Sequence, residues 1–131
     1  MKKDYQVWTP IKSEINNNCD FPKGYKEREI WYASIGENIG FEEDGKGKKF
    51  DRPVLILRAF SRNLCCVIPL STTNKRGRFY YAFDGKTGKI SVALLSQIKV
   101  IDTMRLRHKI GVMDKENFSE MKKKIKELFK L

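Results

Sequence analysis

Two apolar runs in the middle of the chain, joined by a three-residue polar link, constrain the fold more than any other feature. Residues 52–60 read RPVLILRAF and residues 64–70 read LCCVIPL. A continuous apolar run of this length predicts a strand buried on both faces, and the short link 61–63 between two such strands predicts a hairpin. Pro53 fits the start of the first strand, where a missing backbone N–H is tolerated. We therefore expect a β-rich protein built around this hairpin.

Other strand-like runs lie on either side of the hairpin in the sequence. They are rich in aromatic and β-branched residues and are separated by turn signals, and they cover residues 29–35, 78–83, 90–95 and 97–101. Five or six short strands favour a small antiparallel barrel that is closed or nearly closed.

The end of the chain has the pattern of an amphipathic helix. Phe118, Met121 and Ile125 recur at helical spacing, and Asp114 suits the N-cap, so we predict a helix over residues 114–130. The predicted fold class is therefore mainly β with a C-terminal α-helix (α+β).

The chain length of 131 residues is sufficient for one domain with a buried core. We expect residues 1–26 to be an N-terminal extension with a short helix starting near Thr9-Pro10, and residues 27–131 to be the barrel domain. No run approaches the roughly 20 apolar residues that a bilayer requires, and the N-terminus lacks the apolar region of a signal peptide. These features predict a cytoplasmic protein with no membrane association.

Positive charge is concentrated in one part of the chain. The formal net charge is +11, and residues 52–111 contain 12 basic and 2 acidic residues. Concentrated positive charge attracts polyanions, most commonly nucleic acid, although a basic surface that only aids solubility is the alternative. Three cysteines and a single histidine provide few ligands for zinc, so we expect no metal and no cofactor.

Two polar segments next to the predicted strands are candidate functional segments. The loop over residues 36–51 combines glycines, lysines and carboxylates, and its 16 residues exceed the usual length of a structureless connection. An ordinary solvent loop is the alternative. Ser71, Thr72 and Thr73 directly follow a buried strand, where hydroxyls can point into a site or can simply shape a turn.

Arg52 is the third candidate because it precedes a proline at the start of the buried hairpin. Pro53 holds the backbone of Arg52 extended, which places the guanidinium in advance for bidentate binding of an oxyanion. A structural ion pair with Asp51 or Glu43 is the alternative function for this arginine.

Together these segments resemble the MazF/PemK-type toxins of bacterial toxin–antitoxin systems. The resemblance covers residues 27–131 and rests on the order and spacing of IWYASIGENIGFEEDG (30–45), RPVLIL (52–57), VIPLSTT (67–73) and SVALLSQIKVIDTMRL (91–106). It implies an SH3-like barrel of the MazF/PemK/CcdB type that forms a homodimer. It further implies metal-independent, sequence-specific cleavage of single-stranded RNA, and neutralisation by a cognate antitoxin protein.

The resemblance also implies which residues serve the reaction. Arg52 matches the family's arginine before proline, and Ser71, with Thr72 beside it, matches the hydroxyl residue after the third strand. Glu42 matches the glutamate of a Gly-x-Glu loop and is the expected general base. The expected RNA-binding residues are Gly40, Lys46, Lys48, Lys49, Thr73, Arg76 and Gln97.

The chain also departs from some of these relatives. Leu94 and Ser96 stand where some members have an arginine and an aspartate, so acid–base roles at those positions do not transfer. A non-catalytic barrel of the same fold, acting as a gyrase poison or a nucleic-acid-binding module, is the alternative. Gyrase poisons of this fold rely on a C-terminal tryptophan, whereas the last tryptophan here is Trp31.

Overall fold

A computed structural model describes residues 24–36, 51–73, 75–85 and 89–131. The helix predicted near Thr9-Pro10 and most of the polar loop 36–51 lie outside these ranges. The described strands and helix are β1 (Glu29–Ser34), β2 (Asp51–Ala59), β3 (Leu64–Ser71), β4 (Tyr80–Asp84), β5 (Ile90–Leu94), β6 (Lys99–Asp102), β7 (Leu106–Val112) and α1 (Lys115–Phe129).

The strands form an antiparallel sheet in the order β4-β5-β3-β2-β1-β7. Strand β3 pairs with β2 along one edge and divides its other edge between β6 and β5. Within the described ranges, β4 and β7 end the sheet without pairing to each other. The predicted mainly β fold with a C-terminal helix is confirmed, but the barrel is open between these two strands rather than closed.

The β2–β3 hairpin forms where the two apolar runs predicted it. Val54, Leu55 and Ile56 are all fully buried, which confirms a strand covered on both faces. Leu55 belongs to a helix-side core, whereas Val54 and Ile56 belong to a barrel-side core on the opposite face, as strand alternation requires. A β-bulge interrupts the pairing, since Ile56 pairs with Val67 but Arg58 pairs with Cys66.

The two cores pack on opposite faces of the sheet. The helix-side core contains Ile30, Leu55, Ile68, Leu70, Phe83, Ala93, Leu95, Met113, Phe118, Met121 and Ile125. The barrel-side core contains Trp31, Ala33, Ile35, Val54, Ile56, Cys65, Val67, Ile101 and Leu106. Burial raises the pKa of the Cys65 thiol to about 12, so this cysteine behaves as a small apolar side chain.

Helix α1 begins and packs as the sequence predicts. The Asp114 carboxylate accepts a hydrogen bond from the Asn117 backbone N–H at 2.7 Å, which makes it the N-cap. The Tyr81 hydroxyl lies 2.7 Å from Asn117 Oδ1 and 2.9 Å from Glu120 Oε2, and these contacts tie the helix to β4. In the described ranges, no helix is both long enough and apolar enough to cross a membrane.

The structure corrects the sequence prediction at two places after β5. Gln97, which we expected to start a strand, lies in a short 3₁₀ turn (Leu95–Gln97), and the strand begins only at Lys99. Strand β7 was not predicted at all. It reads LRHKIGV, and only Leu106 in it is buried, so the apolar alternation that identifies a strand is missing.

Replacing Met121 with alanine should destabilise the protein by about 2–5 kcal/mol, because Met121 is fully buried between α1 and the sheet. Denaturant unfolding measures this change. The matched control is Lys123→Ala on the exposed side of the same helix, which should leave the free energy of unfolding nearly unchanged. Equal stabilities for the two variants would contradict the observed packing of the helix.

Candidate active site

A cavity of about 500 Å³ opens at the end of the hairpin where β2 begins and β3 ends. Its walls come from β1, β2, β7, the end of β3 and the segment that follows β3. The lining residues are Tyr32, Asp51, Arg52, Pro53, Leu70, Ser71, Thr72, Thr73 and His108.

The guanidinium of Arg52 is held in place across the hairpin. Arg52 is only 8% exposed, and its Nη1 donates a hydrogen bond to the carbonyl oxygen of Leu70 at 3.1 Å. A buried cation needs hydrogen-bond acceptors, and this bond supplies one from the strand that continues into Ser71. Asp51, proposed as an alternative ion-pair partner of Arg52, has its Oδ2 3.8 Å from Nε of Arg107.

The hydroxyl residues at the end of β3 and directly after it both shape the chain and line the cavity. Ser71 Oγ accepts a hydrogen bond from the Thr73 backbone N–H at 3.1 Å, which is the turn chemistry given above as the alternative. Ser71, Thr72 and Thr73 nevertheless line the same cavity as Arg52. The two interpretations therefore apply together, and four of the residues predicted for the site lie around one cavity.

Two aromatic side chains complete the cavity, and sequence reasoning did not select them. The rings of Tyr32 in β1 and His108 in β7 have centroids 5.0 Å apart and are tilted by 50°. Tyr32 lies in a predicted strand, so the alternation of that strand could have indicated its face. His108 had no such signal, because β7 was not predicted.

The other predicted site residues do not line this cavity or lie beyond the described ranges. Arg76 is exposed in the segment after β3, and Gln97 is half-buried in its 3₁₀ turn. Among the residues that the structure describes, no group of three His, Cys, Asp or Glu side chains is placed to hold a metal ion. The predicted residues outside the described ranges are Gly40, Glu42, Lys46, Lys48 and Lys49.

Several cations of the basic segment make specific structural contacts. Arg105 Nη1 donates to the carbonyl oxygens of Ser34 at 3.1 Å and Ile35 at 3.4 Å. Arg58 lies 3.4 Å from Glu27. These basic side chains thus join strands and segments of the fold. They account for part of the positive charge that suggested a polyanion.

Glu29 connects β1 to β7 through Lys109. This buried carboxylate accepts hydrogen bonds from the Lys26 backbone N–H at 2.8 Å and from Trp31 Nε1 at 3.1 Å, and Lys109 Nζ lies 2.9 Å away. Burial by itself raises the pKa of Glu29, but the hydrogen bonds from Lys109, Trp31 and Lys26 outweigh it and lower the pKa below its ordinary value.

Comparison with known proteins gives a consistent match. A family model described as PemK-like, MazF-like toxin of type II toxin-antitoxin system matches residues 26–129. A comparison with curated protein sequences gave no match.

Solved structures with the same fold include toxin MazF-mt6 of Mycobacterium tuberculosis, which is 22% identical, with 79% of this chain and 98% of that chain covered and a TM-score of 0.61. MazF of Deinococcus radiodurans is 18% identical, with 86% and 99% covered and a TM-score of 0.67. An endoribonuclease in complex with its cognate antitoxin, from a mycobacterial species, is 12% identical, with 82% and 97% covered and a TM-score of 0.62. At these identities the likeness concerns the fold.

Because the pKa of Glu29 is lower in the folded state, its contribution to stability is present above the unfolded pKa and is lost as pH falls through the folded pKa. We expect Glu29→Gln to lower stability at neutral pH and to make stability less dependent on pH in the acid range. Denaturant unfolding as a function of pH measures both effects. The same pH dependence in Glu29→Gln and wild type would show that another group is responsible.

Proposed function

The chain belongs to the family of PemK-like, MazF-like toxins of type II toxin-antitoxin systems, and from this membership we propose that it is an endoribonuclease that cuts single-stranded RNA. One observation carries the proposal. The buried guanidinium of Arg52 and the hydroxyl of Ser71 line one open cavity, and they are the two residues that match the family's motif at these positions. A cation beside hydroxyl groups suits a phosphate group.

The proposed reaction uses the 2′-hydroxyl of the RNA as the nucleophile. The hydroxyl gives its proton to a base, its oxygen forms a bond to the adjacent phosphorus, and the bond from phosphorus to the 5′-oxygen breaks. That leaving oxygen takes up a proton. The products are a 2′,3′-cyclic phosphate and a 5′-hydroxyl, and no water is consumed in this step.

Two cavity residues, with a third beside them, and one residue outside the described ranges have distinct roles in this scheme. Arg52 stabilises the negative charge of the phosphorane, which is greatest in the transition state, and it can serve the leaving oxygen. Ser71, with Thr72 beside it, donates a hydrogen bond to a phosphate oxygen. Glu42 is the proposed base. Because these groups supply both charge stabilisation and proton transfer, the proposed cleavage does not require a metal ion.

The proposed substrate is single-stranded RNA, cut at a specific sequence. The segment from residue 52 to 111 contains the cavity's arginine and most of the chain's excess positive charge. Positive charge beside the site would draw the phosphate backbone in, and the strength of binding should fall as salt rises. Lys46, Lys48, Lys49, Arg76, Gly40, Thr73 and Gln97 stay the predicted RNA-binding residues.

Replacing Arg52 with alanine should reduce RNA cleavage about 10²–10³-fold or more, since removing one donor to a developing oxyanion typically costs this much. The assay incubates the full chain with a long single-stranded RNA in EDTA and maps the ends of the fragments. Discrete cuts that leave cyclic phosphates are expected from the wild-type protein.

The matched control is Arg62→Ala, which removes the same charge from the exposed turn at the other end of the hairpin. It should cleave at nearly the wild-type rate. Normal cleavage by Arg52→Ala would show that the assignment of this residue is wrong. RNA binding without cuts by the wild-type protein would support a nucleic-acid-binding module instead, and inhibition of DNA supercoiling without RNA cuts would support a gyrase poison.

We also propose two protein partners, a second copy of the chain and a cognate antitoxin. The mycobacterial endoribonuclease of similar fold is in complex with its cognate antitoxin, and the Deinococcus radiodurans toxin was also solved as MazE-MazF. A disordered acidic segment of an antitoxin could occupy a basic cavity and exclude RNA from it. A homodimer would carry the cavity twice, related by a two-fold axis.

The dimer makes a direct prediction for solution mass. One chain has a mass of 15.3 kDa, so light scattering at micromolar concentration should give twice that value. If the mass is that of one chain at all salt concentrations, the proposed dimer is wrong.

A further inference from the structure

Three side chains stand in a row across neighbouring strands at the wall of the cavity. Tyr32 pairs with Pro53 of β2 on one side and with His108 of β7 on the other. Residues that pair directly in an antiparallel sheet point to the same face. Neighbouring strands are about 4.8 Å apart, so the row extends about 10 Å from the strand that carries Arg52.

The row continues a face of the sheet that is buried further along. Tyr32 lies two residues after Ile30, and Pro53 lies two residues before Leu55, so all four share one face. Ile30 and Leu55 are buried in the helix-side core. Tyr32 is only half-buried and His108 is exposed, which leaves the ring pair accessible from the cavity.

The position of these rings relative to Arg52 and Ser71 suggests a ligand. Arg52 points to the opposite face from Pro53, since it pairs with Ala33 in the barrel-side core, and both residues meet at the strand end where the cavity opens. A cation and hydroxyls therefore stand at one side of the cavity, and two aromatic rings stand at the other. A nucleotide has the matching layout, with a charged phosphate and a flat base.

We propose that the ring pair, named here the Tyr32–His108 platform, is a nucleobase-binding subsite. A base next to the scissile phosphate stacks on the platform while the phosphate lies at Arg52 and Ser71. Single-stranded RNA is commonly held by aromatic side chains on which unpaired bases stack. This inference rests on the proposed function, because it takes the phosphate at Arg52 to be that of RNA.

The competing role for His108 is proton transfer, since imidazole is the usual group for general acid–base catalysis near neutral pH. The strand spacing places His108 about 10 Å from Pro53, the neighbour of Arg52 in β2. The ring of His108 lies against the ring of Tyr32 instead. This arrangement favours stacking over proton transfer beside Arg52. The substitution His108→Phe distinguishes the two roles, because it retains an aromatic face and removes both ring nitrogens.

The test measures the affinity of the full chain for a fluorescent RNA oligonucleotide that contains the mapped cut site. The scissile 2′-hydroxyl is replaced by hydrogen so that the RNA stays intact. If the wild-type protein cuts no RNA, an unmodified single-stranded RNA is the ligand. Binding is therefore measured whether or not the proposed cleavage occurs.

Tyr32→Ala and His108→Ala should each raise the dissociation constant roughly 5- to 150-fold, the effect expected from losing one base–aromatic stack. Tyr32→Phe and His108→Phe should bind as the wild type does, because the rings are retained. The matched control is Phe60→Ala, which removes an exposed ring at the other end of the hairpin and should leave the affinity unchanged.

Each outcome decides the proposal. Weaker binding by the alanine variants with wild-type binding by the phenylalanine variants supports the platform. Wild-type affinity in both alanine variants overturns it, and so does a His108→Phe variant that binds as weakly as His108→Ala. Ring-dependent binding without any RNA cleavage by the wild-type protein contradicts the proposed function alone and leaves the subsite supported.

Discussion

A strand that is buried on both faces must be covered twice, and β2 imposes this requirement on the rest of the molecule. Leu55 needs the helix on one side, while Val54 and Ile56 need the curved sheet on the other. Helix α1 supplies the first cover through its buried residues, and Trp31, Ile101 and Leu106 help to supply the second. The remaining strands can therefore be understood as layers that remove the hairpin from water.

The site lies where this double cover ends. Arg52 is at the start of β2, still buried, and it would be a costly charge without the carbonyl oxygen of Leu70 opposite it. The same hydrogen bond that stabilises the buried cation also links the start of β2 to the end of β3. One hydrogen bond thus both stabilises the fold and holds the guanidinium of Arg52 at the cavity.

Local patterns in the sequence predicted most of the fold. The hairpin was predicted from two continuous apolar runs joined by a short link, and α1 from apolar residues at helical spacing. Arg52 and Ser71 were selected from their places beside the buried strands. Strand β7 was missed because its side chains are exposed and it is held by pairing with β1, a long-range contact that one sequence does not display. Without β7, the contact between Tyr32 and His108 could not be anticipated.

The concentration of charge predicted a polyanion but could not say which cations would meet it. Lys109, Arg105 and Arg58 each have a partner within the fold. Arg52 also has one, the carbonyl oxygen of Leu70, but it lines the cavity as well. These assignments depend on which strands become neighbours. Counting charges along the chain therefore located the segment that contains the site but did not separate structural cations from those available to a ligand.

The β-bulge in β2 puts the two halves of that strand out of phase. In an unbroken strand, Arg58 would point to the same face as Val54 and Ile56 and would enter the barrel-side core. The extra residue, Leu57, turns it outward to Glu27. Adding or deleting one residue in β2 would move the side chains of half of the strand from the buried face to the exposed face, and the reverse. Adding or deleting two residues would keep each side chain on its face. One-residue changes in the length of β2 should therefore be tolerated less well than two-residue changes, although the turn at residues 61–63 is exposed.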